Sequence, residues 1–64
     1  MSSRFTSREI EILGYLVRGY GNKQIADELH IAEQTVKNHL TYIYQKLNVR
    51  NRLQAVIEVE KIRG

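Results

Sequence analysis

The chain has 64 residues, of which 42% are hydrophobic, and a net charge of +3, with no cysteine and no proline. A chain of this length forms one domain at most and rarely encloses a deep substrate pocket, so an enzyme is not expected. The lack of cysteine excludes disulfides and thiolate metal sites and fits a reducing cytoplasm. No apolar run approaches the roughly 20 residues of a membrane span, so no membrane association is expected.

The charge is unevenly distributed along the chain. Residues 34–57 contain no acidic side chain but four basic ones, Lys37, Lys46, Arg50 and Arg52, whereas the remainder is nearly neutral. A local positive field of this kind is typical of a surface that binds the phosphate backbone of a nucleic acid. The alternative interpretation is a solvated helix face on which charges cluster by chance.

No segment alternates polar and apolar residues with a period of two, so an all-α fold is expected. The pattern predicts four helices, over residues 6–18, 22–29, 33–47 and 51–62. Thr6 and Glu9 form a capping box at the start of the first helix, and Gly19 ends it because glycine tolerates the left-handed conformation. The apolar side of this helix comprises Ile10, Leu13, Leu16 and Val17. Asn22 is expected to cap the second helix.

The third helix has one apolar stripe and an opposite polar face. The stripe comprises Val36, Leu40, Ile43 and Leu47. The residues that project the other way are Gln34, Asn38, Thr41, Tyr42 and Gln45, with Lys37 on one flank. A short helix, a tight turn around Ile31 and a longer helix with a polar outer face are typical of a helix-turn-helix, whose second helix enters a DNA groove.

The fourth helix carries more apolar residues than one core face requires. Asn51 and Gln54 form a variant capping box at its start. One apolar arc comprises Leu53, Val56 and Ile57, and a nearly opposite arc comprises Ala55, Val59 and Ile62. Because one arc suffices for a core, the second is interpreted as a dimer interface formed by Ala55, Val59 and Ile62. The alternative is a fourth helix buried in its own core.

Five segments together resemble the LuxR/GerE-type helix-turn-helix domain that ends many NarL-type response regulators. They are TSREIEIL (6–13), GYGNKQIADEL (19–29), TVKNH (35–39), QKLNV (45–49) and RLQAV (52–56), in the family's order and spacing. The resemblance implies one tetrahelical domain over residues 1–64 that binds double-stranded DNA, regulates transcription in the cytoplasm and forms a homodimer on an inverted repeat. It also implies two further partners, RNA polymerase and an N-terminal receiver domain of a two-component response regulator.

The resemblance also implies roles for individual residues. The base-contacting residues would be Lys37, Asn38 and Thr41. The phosphate-contacting residues would be Asn22, Lys23, Gln34, Thr35, Lys46 and Arg50. The side chains of the first set suit contacts with bases, since lysine can donate to guanine, an asparagine amide matches the adenine edge and a threonine methyl can contact thymine. The alternatives are a solvated helix face for the base-contacting set and a local cap for Thr35.

Two departures from the family pattern affect the helix starts. Gly21 and Ala32 stand where the family usually has serine. Ala32 cannot cap the third helix, a loss of about 1 kcal/mol, so the start of that helix is expected to fray until DNA orders it.

Other functions receive little support from the sequence. His30 and His39 have no further ligands beside them, so neither a metal site nor a cofactor is expected. The alternative function is a small helical protein-interaction module that uses residues 51–62 without binding DNA.

Overall fold

The computed structural model describes the backbone of residues 4–63 and the side chains of residues 4–62. Its four helices are α1 (Ser7–Val17), α2 (Asn22–Leu29), α3 (Glu33–Leu47) and α4 (Arg52–Arg63). The predicted all-α, four-helix fold is confirmed. The bounds of α2 and α3 equal the expected ones, whereas α1 and α4 differ from expectation by one residue at each end. None of the described helices is long and apolar enough to cross a membrane.

A reciprocal pair of hydrogen bonds starts α1. The Thr6 N–H donates to Glu9 Oε1 at 2.8 Å, and the Glu9 N–H donates to Thr6 Oγ1 at 3.1 Å, so the predicted capping box is confirmed. Glu9 is only 4% exposed. Lys46 Nζ in the last turn of α3 lies 2.6 Å from the same carboxylate oxygen. This ion pair therefore joins the first turn of α1 to the last turn of α3.

The first three helices end in the same way. After each one a residue adopts the left-handed conformation, namely Gly19 (φ 86°), His30 (φ 57°) and Asn48 (φ 58°). The N–H of the following residue then donates to a carbonyl five positions earlier, in Tyr20 to Tyr15, Ile31 to Ala26 and Val49 to Tyr44. These are Schellman motifs, which satisfy carbonyls that a helix end leaves free. The rings of Tyr15 and Tyr20 are 5.1 Å apart and add an apolar contact to the first motif.

All four helices contribute side chains to one core. The buried apolar residues are Ile12, Leu13, Leu16, Ile25, Ala26, Val36, Leu40, Ile43 and Ala55. The α3 stripe is thus confirmed, with Leu47 packed at its edge. The expected apolar side of α1 was partly wrong, because Ile12 is fully buried whereas Ile10 is 52% exposed. At about 100° per residue these two positions lie on nearly opposite sides of the helix.

The structure buries a different apolar arc of α4 from the one that the sequence pattern predicted to face the core. Ala55 is fully buried, so the prediction that it forms a dimer interface is wrong. Its small side chain lets α4 approach α1 and α3, and Val59 packs against the core from the same side. Leu53 and Ile57, expected in the core, are 69% and 46% exposed. Val56 packs at the edge of the core, and Ile62 is exposed.

The starts of the other helices differ in their caps. At α4, Asn51 Oδ1 accepts the Gln54 N–H at 2.9 Å, which is one half of the predicted variant capping box. The return bond differs, because Gln54 Oε1 accepts the N–H of Arg50 at 2.9 Å and not that of Asn51. At α2, the expected Asn22 cap is wrong: Gly21 is the N-cap residue, and its N–H donates to Gln24 Oε1 at 2.8 Å. At α3, Ala32 is the N-cap and provides no side-chain hydrogen bond.

Opposing effects act on the ionisation of Glu9. Burial alone would raise the pKa of its carboxyl, but hydrogen bonds and charge from Lys46, together with hydrogen bonds from Thr6, outweigh burial and hold this pKa below its ordinary value. The carboxylate therefore stabilises the fold at pH values above about 4.3, the ordinary pKa of glutamate. That contribution is lost as the pH falls through the lower pKa of the folded state.

The two partners of this ion pair are expected to respond unequally to substitution. Lys46→Met leaves a buried carboxylate without its cation and should lower the free energy of unfolding by about 1–3 kcal/mol at pH 7. Glu9→Gln should lower it less, because the amide oxygen still accepts the Thr6 N–H and Lys46, with 31% of its side chain exposed, reaches water. The measurement is urea unfolding of both variants and the wild type between pH 7 and pH 3. The deficit of Lys46→Met should shrink as Glu9 is protonated, and equal deficits that stay constant with pH would contradict the assignment.

The missing cap of α3 can be restored. Ala32 has the extended conformation of an N-cap residue (φ −70°, ψ 147°), so a hydroxyl there can accept an N–H of the first turn. Ala32→Thr should raise the free energy of unfolding relative to Ala32→Val, which has the same shape without the hydroxyl, by about 1 kcal/mol. Thermal unfolding and amide exchange at the start of α3 measure the effect. No difference between the two variants would mean that other groups already satisfy these N–H donors.

Candidate nucleic-acid interface

The outer face of α3 presents polar side chains to solvent. The exposed residues of α3 are the acidic Glu33 at its start and, after it, Gln34, Lys37, Asn38, Thr41, Tyr42 and Gln45. The opposite side of the helix is held in the core by Val36, Leu40 and Ile43. All three predicted base-contacting residues lie on this exposed surface, on two successive turns of one helix. A helix of 15 residues is about 22 Å long, and the DNA major groove is wide enough to admit it.

Two hydrogen bonds organise the predicted base-contacting side chains. Gln34 Nε2 donates to Asn38 Oδ1 at 3.1 Å, which leaves the Asn38 amide N–H groups free. Thr41 Oγ1 donates to the Lys37 carbonyl at 3.1 Å. Because this bond uses the hydroxyl proton of Thr41, the side chain has its methyl and oxygen lone pairs left for a partner. Lys37 and Asn38 are thus the hydrogen-bond donors of the set.

The basic residues of the segment 34–57, which contains no acidic residue, differ in whether a carboxylate lies beside them. Lys46 is paired with Glu9 and its ammonium also lies 5.7 Å from the centre of the Phe5 ring, so it already has intramolecular partners. Within the described residues, Lys37, Arg50 and Arg52 have no carboxylate at ion-pair distance, and the same holds for Lys23 on α2. These four residues therefore have charge that is available to an external anion.

Arg52 has a structural role that the sequence did not indicate. Its Nη1 donates to the Tyr20 carbonyl at 2.7 Å and its Nη2 donates to Asn22 Oδ1 at 2.6 Å. These bonds join the start of α4 to the loop before α2 and to the first residue of α2. The acceptors lie 32 and 30 positions away in the chain, which is why no local pattern revealed them. The side-chain oxygen of Asn22, a predicted phosphate contact, is therefore occupied by Arg52, and its amide N–H groups remain.

The remaining predicted phosphate contacts lie at the start of α2, at the start of α3 and after the end of α3. Lys23, at the start of α2, and Arg50, after α3, are exposed. Gln34 is exposed and Thr35 is half-buried, both in the first turn of α3. Ile31, predicted to fill the corner between α2 and α3, packs against the core. Among the described residues, no three of His, Cys, Asp or Glu lie close enough together to bind a metal ion.

Comparisons with known proteins agree with this arrangement. The family model described as bacterial regulatory proteins, luxR family, matches residues 3–59. The HTH-type transcriptional regulator MalT of Vibrio campbellii is 43% identical over 61 residues, which is 95% of this chain and 7% of that protein. This chain is therefore far shorter than that curated relative.

Solved structures show the same fold. The response regulator ChrA of a heme-sensing two-component system superposes with a TM-score of 0.90 and 44% identity, over 98% of this chain and 31% of that one. The transcription factor GerE superposes with a TM-score of 0.86 and 44% identity, over 95% of this chain and 91% of that one. The chain thus belongs to the luxR family of bacterial regulatory proteins, as a LuxR-type helix-turn-helix DNA-binding domain that serves transcription regulation.

Proposed function

We propose that this domain binds an inverted-repeat DNA site as a symmetric dimer, with the α3 helix of each copy in the major groove. The observation that carries the proposal is the exposed polar face of α3, which contains no acidic residue from Gln34 onward. Basic residues flank this face, and they have no carboxylate at ion-pair distance among the described residues. Such a surface attracts the phosphate backbone and presents hydrogen-bonding groups to base edges.

Base selection is assigned to Lys37, Asn38 and Thr41. Lys37 can donate to the O6 and N7 acceptors of guanine. Asn38, whose oxygen already accepts one bond from Gln34, can still donate to N7 of adenine and accept from its amino group. The Thr41 methyl is free to contact a thymine methyl, since its hydroxyl donates to the helix backbone.

Sequence-independent affinity is assigned to the residues around this face. Lys23 and Arg50 are the main phosphate contacts because their charges are exposed and unpaired with any described carboxylate. Asn22, Gln34 and Thr35 add neutral donors. Lys46, the remaining predicted phosphate contact, contributes less, because its ammonium is held by Glu9 and the carboxylate largely cancels its charge. These contacts position the dimer, and the base contacts specify the sequence.

Substitutions at Arg50 and Asn38 are expected to have different effects on binding. Arg50→Gln should weaken binding to all duplexes by a similar factor and reduce the salt slope by about one counterion. Asn38→Ala should relax the preference at one base pair at a cost of about 1–3 kcal/mol. The measurement is fluorescence anisotropy at several salt concentrations, with a duplex selected from a random pool by the wild-type domain and with a scrambled duplex.

Gln45→Ala is the matched control for Asn38→Ala, because it removes an exposed amide from the same helix outside the proposed contacts. An equal loss on selected and scrambled duplexes would remove Asn38 from the base-reading role. Duplex binding that stays weak even at low salt would contradict the proposal. It would favour instead a helical protein-interaction module that uses α4.

The dimer contact is proposed on the face of α4 that carries Leu53 and Ile57, because on the predicted face Ala55 is buried and Val59 packs against the core. Leu53 and Ile57 lie one turn apart and are exposed. Beside Leu53 lies an apolar groove of about 600 Å³, which is formed by α1 and α4. The groove residues are Leu16, Val17, Gly19, Asn51, Arg52, Leu53 and Val56. A symmetric contact can place the same face of both copies together.

Leu53→Asp is expected to prevent this contact without unfolding the domain, because the side chain is 69% exposed. Sedimentation with a duplex that contains both half-sites should then show one bound copy instead of two at the same protein concentration. Ile62→Asp tests the face predicted from the sequence, since Ile62 is exposed. It should retain two copies if the contact is at Leu53 and Ile57, and loss of the second copy would favour the predicted face. An unchanged stoichiometry for Leu53→Asp would exclude this face as the dimer contact.

In the complete protein, the domain is proposed to follow a receiver domain of a two-component response regulator. The support is its similarity to ChrA, of which it covers 31%. Phosphorylation of the receiver would unmask the DNA-binding surface or promote dimerisation. We place the domain in the cytoplasm, where bacterial DNA lies. RNA polymerase is a further proposed partner, because a regulator bound beside a promoter lies within its reach.

A further inference from the structure

We propose that a polar pocket between α2, α3 and α4 binds one phosphodiester group of the DNA backbone, with Arg52 as its fixed cation. The pocket is lined by Asn22, Lys37, Leu40, Thr41, Tyr44 and Arg52. Its volume of about 180 Å³ is several times the roughly 30 Å³ that one water molecule occupies, so it has room for a phosphate group. This inference rests on the proposed function and assigns a contact that the family resemblance did not supply.

Arg52 is held in place before any ligand arrives. Its two terminal nitrogens donate to the Tyr20 carbonyl and to Asn22 Oδ1 at 2.7 and 2.6 Å. Both acceptors are neutral, and the part of the chain that the structure describes has no carboxylate at ion-pair distance from Arg52. A half-buried cation of this kind lacks a compensating negative charge. A guanidinium has five N–H donors, so the two bonds leave others for phosphate oxygens.

The other lining groups also favour an anion. Lys37 adds a second cation, and Tyr44 adds a phenolic hydroxyl. Asn22 is the first residue of α2, so the positive end of that helix lies at the pocket. None of the six lining residues is acidic.

The position of the pocket favours the DNA backbone over a free anion. Two of its lining residues, Lys37 and Thr41, belong to the proposed base-contacting set. A phosphate bound there would lie next to the groove that α3 enters. Since Arg52 belongs to the first turn of α4, this contact would also connect the dimer helix directly to the DNA backbone.

The test is a scan in which each phosphate of the selected duplex is replaced in turn by an uncharged methylphosphonate. With the wild-type domain, neutralising the phosphate in the pocket should weaken binding about 10-fold or more, as expected for a charge-assisted contact. With Arg52→Gln, neutralising that same phosphate should weaken binding by a much smaller factor, because only Lys37, Tyr44 and the start of α2 remain to favour its charge. Arg50→Gln is the matched control, because it removes a charge only two positions away and should keep the sensitivity at this phosphate.

Arg52→Gln also removes bonds that hold the α1–α2 loop, so the wild-type domain provides a second readout. The Arg52 side-chain N–H resonances should shift on binding the unmodified duplex and should not shift when the critical phosphate is a methylphosphonate. The inference would be overturned if the Arg52→Gln substitution changed the effect of no methylphosphonate and if the Arg52 resonances did not shift on DNA binding. So would the same shift produced by micromolar inorganic phosphate alone, which would assign the pocket to a free anion.

The outcomes also separate this inference from the proposed function. Only the pocket assignment would be refuted if duplex binding depended on salt and its base preference on Asn38, but no phosphate lost its effect in Arg52→Gln. Loss of salt-dependent duplex binding in the wild-type domain would refute the proposed function itself.

Discussion

The ion pair between Glu9 and Lys46 is the polar interaction that sets the end of α3 against the start of α1. A single carboxylate oxygen accepts the Thr6 N–H at the start of α1 and the Lys46 ammonium at the end of α3. Because the carboxylate is buried, it tolerates little displacement of either partner without the loss of a hydrogen bond. The bond therefore fixes the far end of α3, while the core fixes its inner side, and the outer face of the helix is held at a defined angle.

The sequence predicted most of the fold because its signals were local. Capping residues and apolar spacing located four helices, and the clear stripe on α3 determined which of its faces would be exposed. On α4 the apolar residues extend around most of the helix, so spacing alone could not show which face is buried. There the small size of Ala55 decided the packing, since it allows α4 to lie close to α1 and α3.

The candidate site was predictable to a similar extent and for the same reason. The residues on the outer face of α3 follow from helical periodicity, and Lys37, Asn38 and Thr41 are exposed as expected. Contacts between distant segments could not be inferred. Lys46 resembled a free surface cation but pairs with a residue 37 positions away, and Arg52 received no role because its acceptors are on the loop before α2 and on its first residue.

The outer faces of α3 and α4 are separate from the core, and this separation affects how the sequence of such a domain can change in evolution. Lys37, Asn38 and Thr41 on α3, and Leu53 and Ile57 on α4, all lie outside the buried set. Substitutions at exposed positions of this kind usually change stability by less than about 0.5 kcal/mol. With the roles proposed for these residues, duplicated copies of such a gene can therefore acquire new operators and new pairing preferences independently, while each copy continues to fold.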